Sequence, residues 1–332
     1  MEGNQWAAII RTVIGDLHIR KNLPNQDAIL FSELPGGSPA FVMAVSDGHG
    51  SEKCPRSNIG SNLAVETAVK VFIGFWNGLE TRLDDLKDKG TARVSALMNI
   101  ERHIRKVITK ELVDKWAIAV DSSLAAMPFP TTQDQTNRLL SYGATLTIVF
   151  HCDHFSACLR LGDCEVLTVS SDSKVSRITP KDRKQVGEET DSLCMPNAEK
   201  LFNVSFHSFD DAVYGSNKLY LICSDGYEKA FESDAGFEQS AIDFAHLVSS
   251  GKGREIIEKE IESWLRESSS YSGDDVSVGL LFKKTHSDAS DIPCQLTATN
   301  EDNDGPAPKQ IECKGEPVPT VFVTKQSDHS SP

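Results

Sequence analysis

The side chains with chemistry to offer are acidic, and they recur where apolar runs break off. Residues 41–45, Phe-Val-Met-Ala-Val, suit a buried strand and give way to Ser46-Asp47-Gly48-His49-Gly50. Asp47, Gly48 and His49 thus supply a carboxylate, a backbone that can approach an ion closely, and an imidazole. By itself an Asp-Gly step at a strand end is commonly only a turn. The placement repeats, however. Asp163 ends the run Leu159-Arg160-Leu161-Gly162, Asp225 ends residues 219–224, Asp274 and Asp275 open residues 276–282, and Asp27 precedes residues 28–31. Carboxylates at several strand ends, without Cys or His partners at ligand spacing, suit a hard divalent cation bound through oxygen. Cys152, His154, Cys158 and Cys164 do not read as a zinc site, because strand alternation scatters them and no C-x-x-C pair is present.

The elements that must position these groups follow from periodicity. Residues 6–13 read as a first strand, followed by a loop over 15–25 that carries His18, Arg20 and Lys21. Strands over 28–31 and 41–45 flank a Pro-Gly-Gly turn. A helix with Ser57 as N-cap follows, its apolar residues at three- and four-residue intervals through Phe75. A charged helix over about 91–120 carries Ile100, Ile104, Ile108 and Leu112 along one stripe, before a polar loop over 127–137. Short strands are predicted over 144–151, 155–161, 165–170, 174–177, 202–209 and 219–223, with a polar surface loop over 179–196. Two helices follow, one through Phe237, Ala241, Phe244 and Val248 and one through Ile257, Ile261, Trp264 and Leu265, before a last strand over 276–282.

Strands, helices, strands, helices, strand is a segregated order, which favours α+β over an alternating parallel design. Two antiparallel sheets packed face to face, each covered outside by a helix pair, use every element, a four-layer αββα arrangement. Strand ends then converge at one rim, where the carboxylates can meet.

Composition bounds the rest. The chain has 332 residues, 39% hydrophobic and 25% charged, and a net charge of −14, a balance that argues against nucleic acid or an anionic membrane as partner. No apolar run reaches membrane-spanning length and no secretory signal is read at the N-terminus. Eight cysteines without a regular framework, several in apolar strands, point to a reducing cytoplasm. Residues 1–284 are expected to form the folded domain. Residues 285–332, with eight acidic and three basic side chains among Ser, Pro, Gly and Asn, are expected to be a disordered tail.

In order, FVMAVSDGHG, SYGATLTIVF, LRLGDCEVL, LYLICSDGYEKAF and GDDVSVGLLF resemble the successive motifs of the metal-dependent protein phosphatases of the 2C type, the PPM family. GDLHIRKNLPNQDAILF and VGEETDSLC resemble its bacterial branch. The resemblance runs from about residue 5 to 284. It implies a central β-sandwich flanked by helix pairs and two Mn²⁺ or Mg²⁺ ions bridged by Asp47, with the Gly48 carbonyl on one ion. Asp225 and Asp274 would complete the other shell, Asp27 would hold metal-bound waters, and Asp163 would help bind a third, weaker ion. His49 matches the proposed general acid, and Arg20 is the candidate grip on the phosphate. The implied reaction is hydrolysis of phosphoserine and phosphothreonine by a hydroxide bridging the two ions, on a phosphoprotein for which a Ser/Thr kinase is a candidate, by a monomer. The alternative is a catalytically weak relative that binds phosphoproteins or senses a signal. Departures from the family pattern are Ser51 in place of a glycine, Gln26 in place of a common Glu, and Asp275 in place of a common Asn, the last read as surface charge.

Overall fold

The computed structural model describes residues 6–80, 83, 86, 90–129, 138–179, 190–209 and 217–284. The expected tail, 285–332, the middle of the surface loop, 180–189, and residues 130–137 of the loop over 127–137 lie outside them.

The elements run β1 (Trp6–Val13), α1 (Asp16–Lys21), β2 (Ala28–Glu33), β3 (Ala40–Ser46), α2 (Ser57–Glu80), α3 (Thr91–His103), a π-helical turn (Ile104–Ile108) and α4 (Thr109–Ala126). Then come β4 (Leu146–Cys152), β5 (Phe155–Leu161), β6 (Glu165–Ser170), β7 (Val175–Arg177), β8 (Asn203–Ser208) and β9 (Asn217–Cys223). The chain closes with α5 (Asp225–Glu228), α6 (Asp234–Ser249), α7 (Gly253–Ser272) and β10 (Val276–Lys283). Among the described residues the strands form two five-stranded sheets, ordered β1-β10-β9-β6-β7 and β2-β3-β4-β5-β8. Every pairing is antiparallel.

Period-two alternation explains why the inner strands read as unbroken apolar runs. In β3, Phe41, Met43 and Val45 point into the layer between the sheets, where they meet Trp6, Tyr220, Ile222 and Leu281 of the other sheet. The alternate residues Val42 and Ala44 pack under α2 and α4 with Phe72, Trp76, Leu112 and Trp116. The second sheet behaves likewise: Leu219, Leu221, Val278 and Leu280 face Phe237, Phe244, Ile257 and Ile261 of α6 and α7. Both faces of both sheets are covered, giving the helix–sheet–sheet–helix order expected from the sequence. At Gly279 the sheets approach so closely that a Cβ would lie 2.4 Å from Met43 Sδ.

Four local expectations are corrected. The segment after β1 contains a helix, Asp16–Lys21, rather than only a loop; with no buried residue it leaves no apolar period to read. Ser57 does not cap α2: it is buried and its Oγ has no hydrogen-bond partner. The stripe on the second helix is continuous in space, but the helix is broken by the π turn between α3 and α4. The described end of the loop over 179–196 is anchored rather than superficial, since Leu193 N–H and Ser192 Oγ both donate to the Ala144 carbonyl.

Candidate metal centre

Asp47 leaves the end of β3 and is held by the segment that enters β4. Its N–H donates to Thr145 Oγ1 at 2.9 Å, its carbonyl accepts Thr145 N–H at 2.8 Å, and His49 N–H donates to the Gly143 carbonyl at 3.1 Å. Gly48 sits between two backbones. A Cβ there would fall 2.7 Å from the Gln26 carbonyl oxygen and 2.8 Å from that of Ser57, so only glycine fits. Asp163 is presented by the β5–β6 turn, where Gly162 adopts φ +103°. Asp225 opens the helical turn α5, and Gly226 packs so tightly on the entry to β10 that a Cβ would lie 2.1 Å from the Asp275 carbonyl oxygen. Both sheets therefore deliver carboxylates to one rim.

There, Asp47, Asp163 and Asp225 each bring one oxygen to within 4.8 Å of the others. Asp163 and Asp225 are each tethered through one oxygen. Asp163 Oδ2 accepts Thr190 Oγ1 at 3.0 Å and Asp225 Oδ2 is 2.6 Å from Lys229 Nζ, whereas Asp163 Oδ1 and Asp225 Oδ1 are buried without a partner. Asp27, 5% exposed behind the cluster, likewise has a buried, partnerless Oδ2. Buried oxygens left unsatisfied are costly.

The electrostatics agree. Burial, followed by repulsion from Asp275, pushes the Asp27 carboxyl well above the usual carboxylate range. Burial together with Asp27 and Asp225 does the same to Asp47. Asp225 is raised to about 6 by burial and by Asp163, with Lys229 pulling the other way. Carboxylates that resist sharing negative charge, with one oxygen from each of three within 4.8 Å of the others, are satisfied by a bound divalent cation. The residues therefore fit a hard ion held through oxygen.

Asp274 is 37% exposed and meets the cluster through Lys229, whose Nζ is 3.3 Å from Asp274 Oδ2. His49 is half-buried beside Asp163, and burial lowers its imidazole pKa against the pull of that carboxylate. Arg20 lies on α1, 72% exposed and 3.7 Å from Asp16.

Two participants escaped the sequence reading. Asp275 is not surface charge: it is 3% exposed and accepts Gly15 N–H at 2.6 Å, Gln26 N–H at 2.6 Å and His18 Nδ1 at 2.9 Å. Gln26 in turn accepts Gly48 N–H at 3.1 Å, so Asp275 supports the Asp47–Gly48 turn from behind. Lys229 is the other. Although burial works against its charge, Asp225 and Asp274 raise its pKa. The signal available was the i, i+4 spacing from Asp225.

Among solved structures the chain is similar to the serine/threonine phosphatase Stp1 from Staphylococcus aureus, at 12% identity over 85% of this chain and 97% of that one, TM-score 0.45. It is similar to the catalytic domain of the serine/threonine protein phosphatase PstP in complex with two manganese ions, at 14% identity over 84% and 99%, TM-score 0.45. It is also similar to PppA of Pseudomonas aeruginosa, described as a key regulatory component of T6SS, at 13% identity over 84% and 98%, TM-score 0.45. No curated protein matches the sequence. The sequence model described as protein phosphatase 2C matches residues 14–266, well over half of the chain, and the chain belongs to the protein phosphatase 2C family.

Proposed function

We propose that the chain is a metal-dependent phosphoprotein phosphatase that hydrolyses phosphoserine and phosphothreonine. The observation that carries this reading is the convergence of carboxylate oxygens from Asp47, Asp163 and Asp225 within 4.8 Å, in a chain of this family. Mn²⁺ and Mg²⁺ are hard ions that an all-carboxylate set suits. Asp47 would be shared between two ions, with the Gly48 carbonyl, Asp225 and Asp274 completing their shells, Asp27 holding waters behind them and Asp163 serving a third ion. Such ions, when bound, would acidify the attacking water and offset charge on the phosphoryl oxygens.

The chain's own groups supply the rest. His49, fixed through its backbone to Gly143, would donate a proton to the departing serine or threonine oxygen. Arg20 would grip the phosphate with its planar fork. Its pairing with Asp16 is an exposed one, worth little, so leaving it costs little. A net charge of −14 works against nucleic-acid substrates, and a Ser/Thr kinase is the proposed phosphoprotein. Among the described residues no helix is long and apolar enough to cross a membrane; a cytoplasmic site of action is part of the proposal.

The test is turnover of a phosphothreonine peptide and of p-nitrophenyl phosphate with and without Mn²⁺. Manganese-dependent hydrolysis lost in Asp225→Asn is the expected result. The second reading, a weak catalyst that binds phosphoproteins or senses a signal, is favoured by Lys229, seated on both Asp225 and Asp274. Metal uptake without turnover selects it.

A further inference from the structure

We propose that Lys229 is a built-in cation that occupies the second ion position of this centre. The inference rests on the metal-centre reading above. Its basis is where the ammonium sits. Nζ is 2.6 Å from Asp225 Oδ2 and 3.3 Å from Asp274 Oδ2, between the two carboxylates assigned to one ion of the pair. The backbone holds it there. Lys229 N–H donates to the Asp225 carbonyl at 2.8 Å, closing the helical turn α5 so that the side chain at i+4 folds back over the carboxylate at i.

The two oxygens of Asp225 are thereby given different tasks. Oδ2 is neutralised by the lysine, and Oδ1, buried and partnerless, is left for an ion shared with Asp47. A metal reaching for both Asp225 and Asp274 must first displace the ammonium, which at 54% side-chain exposure has room to swing into solvent. The first ion therefore binds to a cluster already partly neutralised, and the second binds only in competition with the chain itself. Lys229 is a positioning residue in this account: it acts through Asp225 and Asp274 on the number and affinity of the ions.

Isothermal titration of the full chain with Mn²⁺ after stripping with EDTA tests this, comparing wild type with Lys229→Met and Lys229→Arg. Thermal unfolding of each protein in EDTA and in Mn²⁺ gives a second readout. The methionine variant should bind a second Mn²⁺ at least about tenfold more tightly than wild type, because a competing unit charge at contact distance is gone. It should also melt lower than wild type without metal and gain more from Mn²⁺. The arginine variant keeps the charge and should follow wild type. Superimposable isotherms for wild type and Lys229→Met would overturn the built-in cation while leaving the metal centre standing. An arginine variant that behaves like the methionine variant would also overturn it, since charge would then not be the cause. Uptake of Mn²⁺ by neither wild type nor Lys229→Met would overturn both this inference and the metal centre beneath it.

Discussion

Replacing Asp275 with alanine should loosen the metal centre from behind. The carboxylate accepts Gly15 N–H and Gln26 N–H, each at 2.6 Å, and His18 Nδ1 at 2.9 Å, in a site only 3% exposed. Two buried backbone donors left unpaired cost about 1–3 kcal/mol each, and the lost histidine bond adds about 1 kcal/mol. Removing a negative charge that raises the Asp27 carboxyl gives some of this back, on the order of 1 kcal/mol. The expected net loss in urea unfolding of the metal-free protein is thus about 2–6 kcal/mol. Asp275→Asn should fall between, because one amide oxygen still accepts an N–H while the amide nitrogen now opposes another donor. The damage should reach the ion, since Gln26 accepts Gly48 N–H at 3.1 Å beside Asp47. Weaker Mn²⁺ binding by calorimetry is therefore expected along with the stability loss. A loss below about 1 kcal/mol with unchanged Mn²⁺ affinity would refute the view that this carboxylate organises the segment.

Two further outcomes test other parts of the molecule. His49→Ala should slow phosphothreonine peptide hydrolysis by about 10²–10⁴-fold and p-nitrophenyl phosphate far less, because nitrophenolate leaves without a proton; equal losses on both would remove His49 as the acid. His151 lies among Trp6, Phe209 and Tyr220 with a partnerless Nδ1, and burial, then Lys283, push its pKa down to about 3. Its folded pKa lies below the unfolded value, so the unfolded chain gains a proton first, and the stability that the neutral ring allows is whole above about pH 6.5 and drains as pH falls toward 3. His151→Phe should cancel that slope, gaining about 3 kcal/mol over wild type between roughly pH 6.5 and 4 in pH-dependent unfolding; parallel curves would contradict it.

The layering and the clustered aspartates were legible because each rests on a short-range signal. Residues 41–45 could be read as a strand buried on both faces, and an acidic residue immediately after such a strand must lie at its rim. What could not be read depended on contacts between distant segments. Asp274 and Asp275 are neighbours of identical type, and only the approach of Gly15, His18 and Gln26 turns the second one inward. Lys229 stands four residues after Asp225, but only the single turn of α5 folds its side chain over that carboxylate. The helix Asp16–Lys21 carries no buried face, so periodicity had nothing to register. Ser57 has the right type for a cap, but burial at the start of α2 leaves its hydroxyl without a donor to receive.

Because Asp47 trails a strand of one sheet and Asp225 a strand of the other, the rim behaves as a gauge of how the two sheets are seated. Any slip of one layer across the other pulls the ligand oxygens apart. The layer that prevents such slip is set by contacts such as Met43 against Gly279, well inside the sandwich. Ion occupancy and mid-layer packing are thus mechanically joined, so that a clasped rim steadies the stack and a well-filled stack keeps the rim in tune.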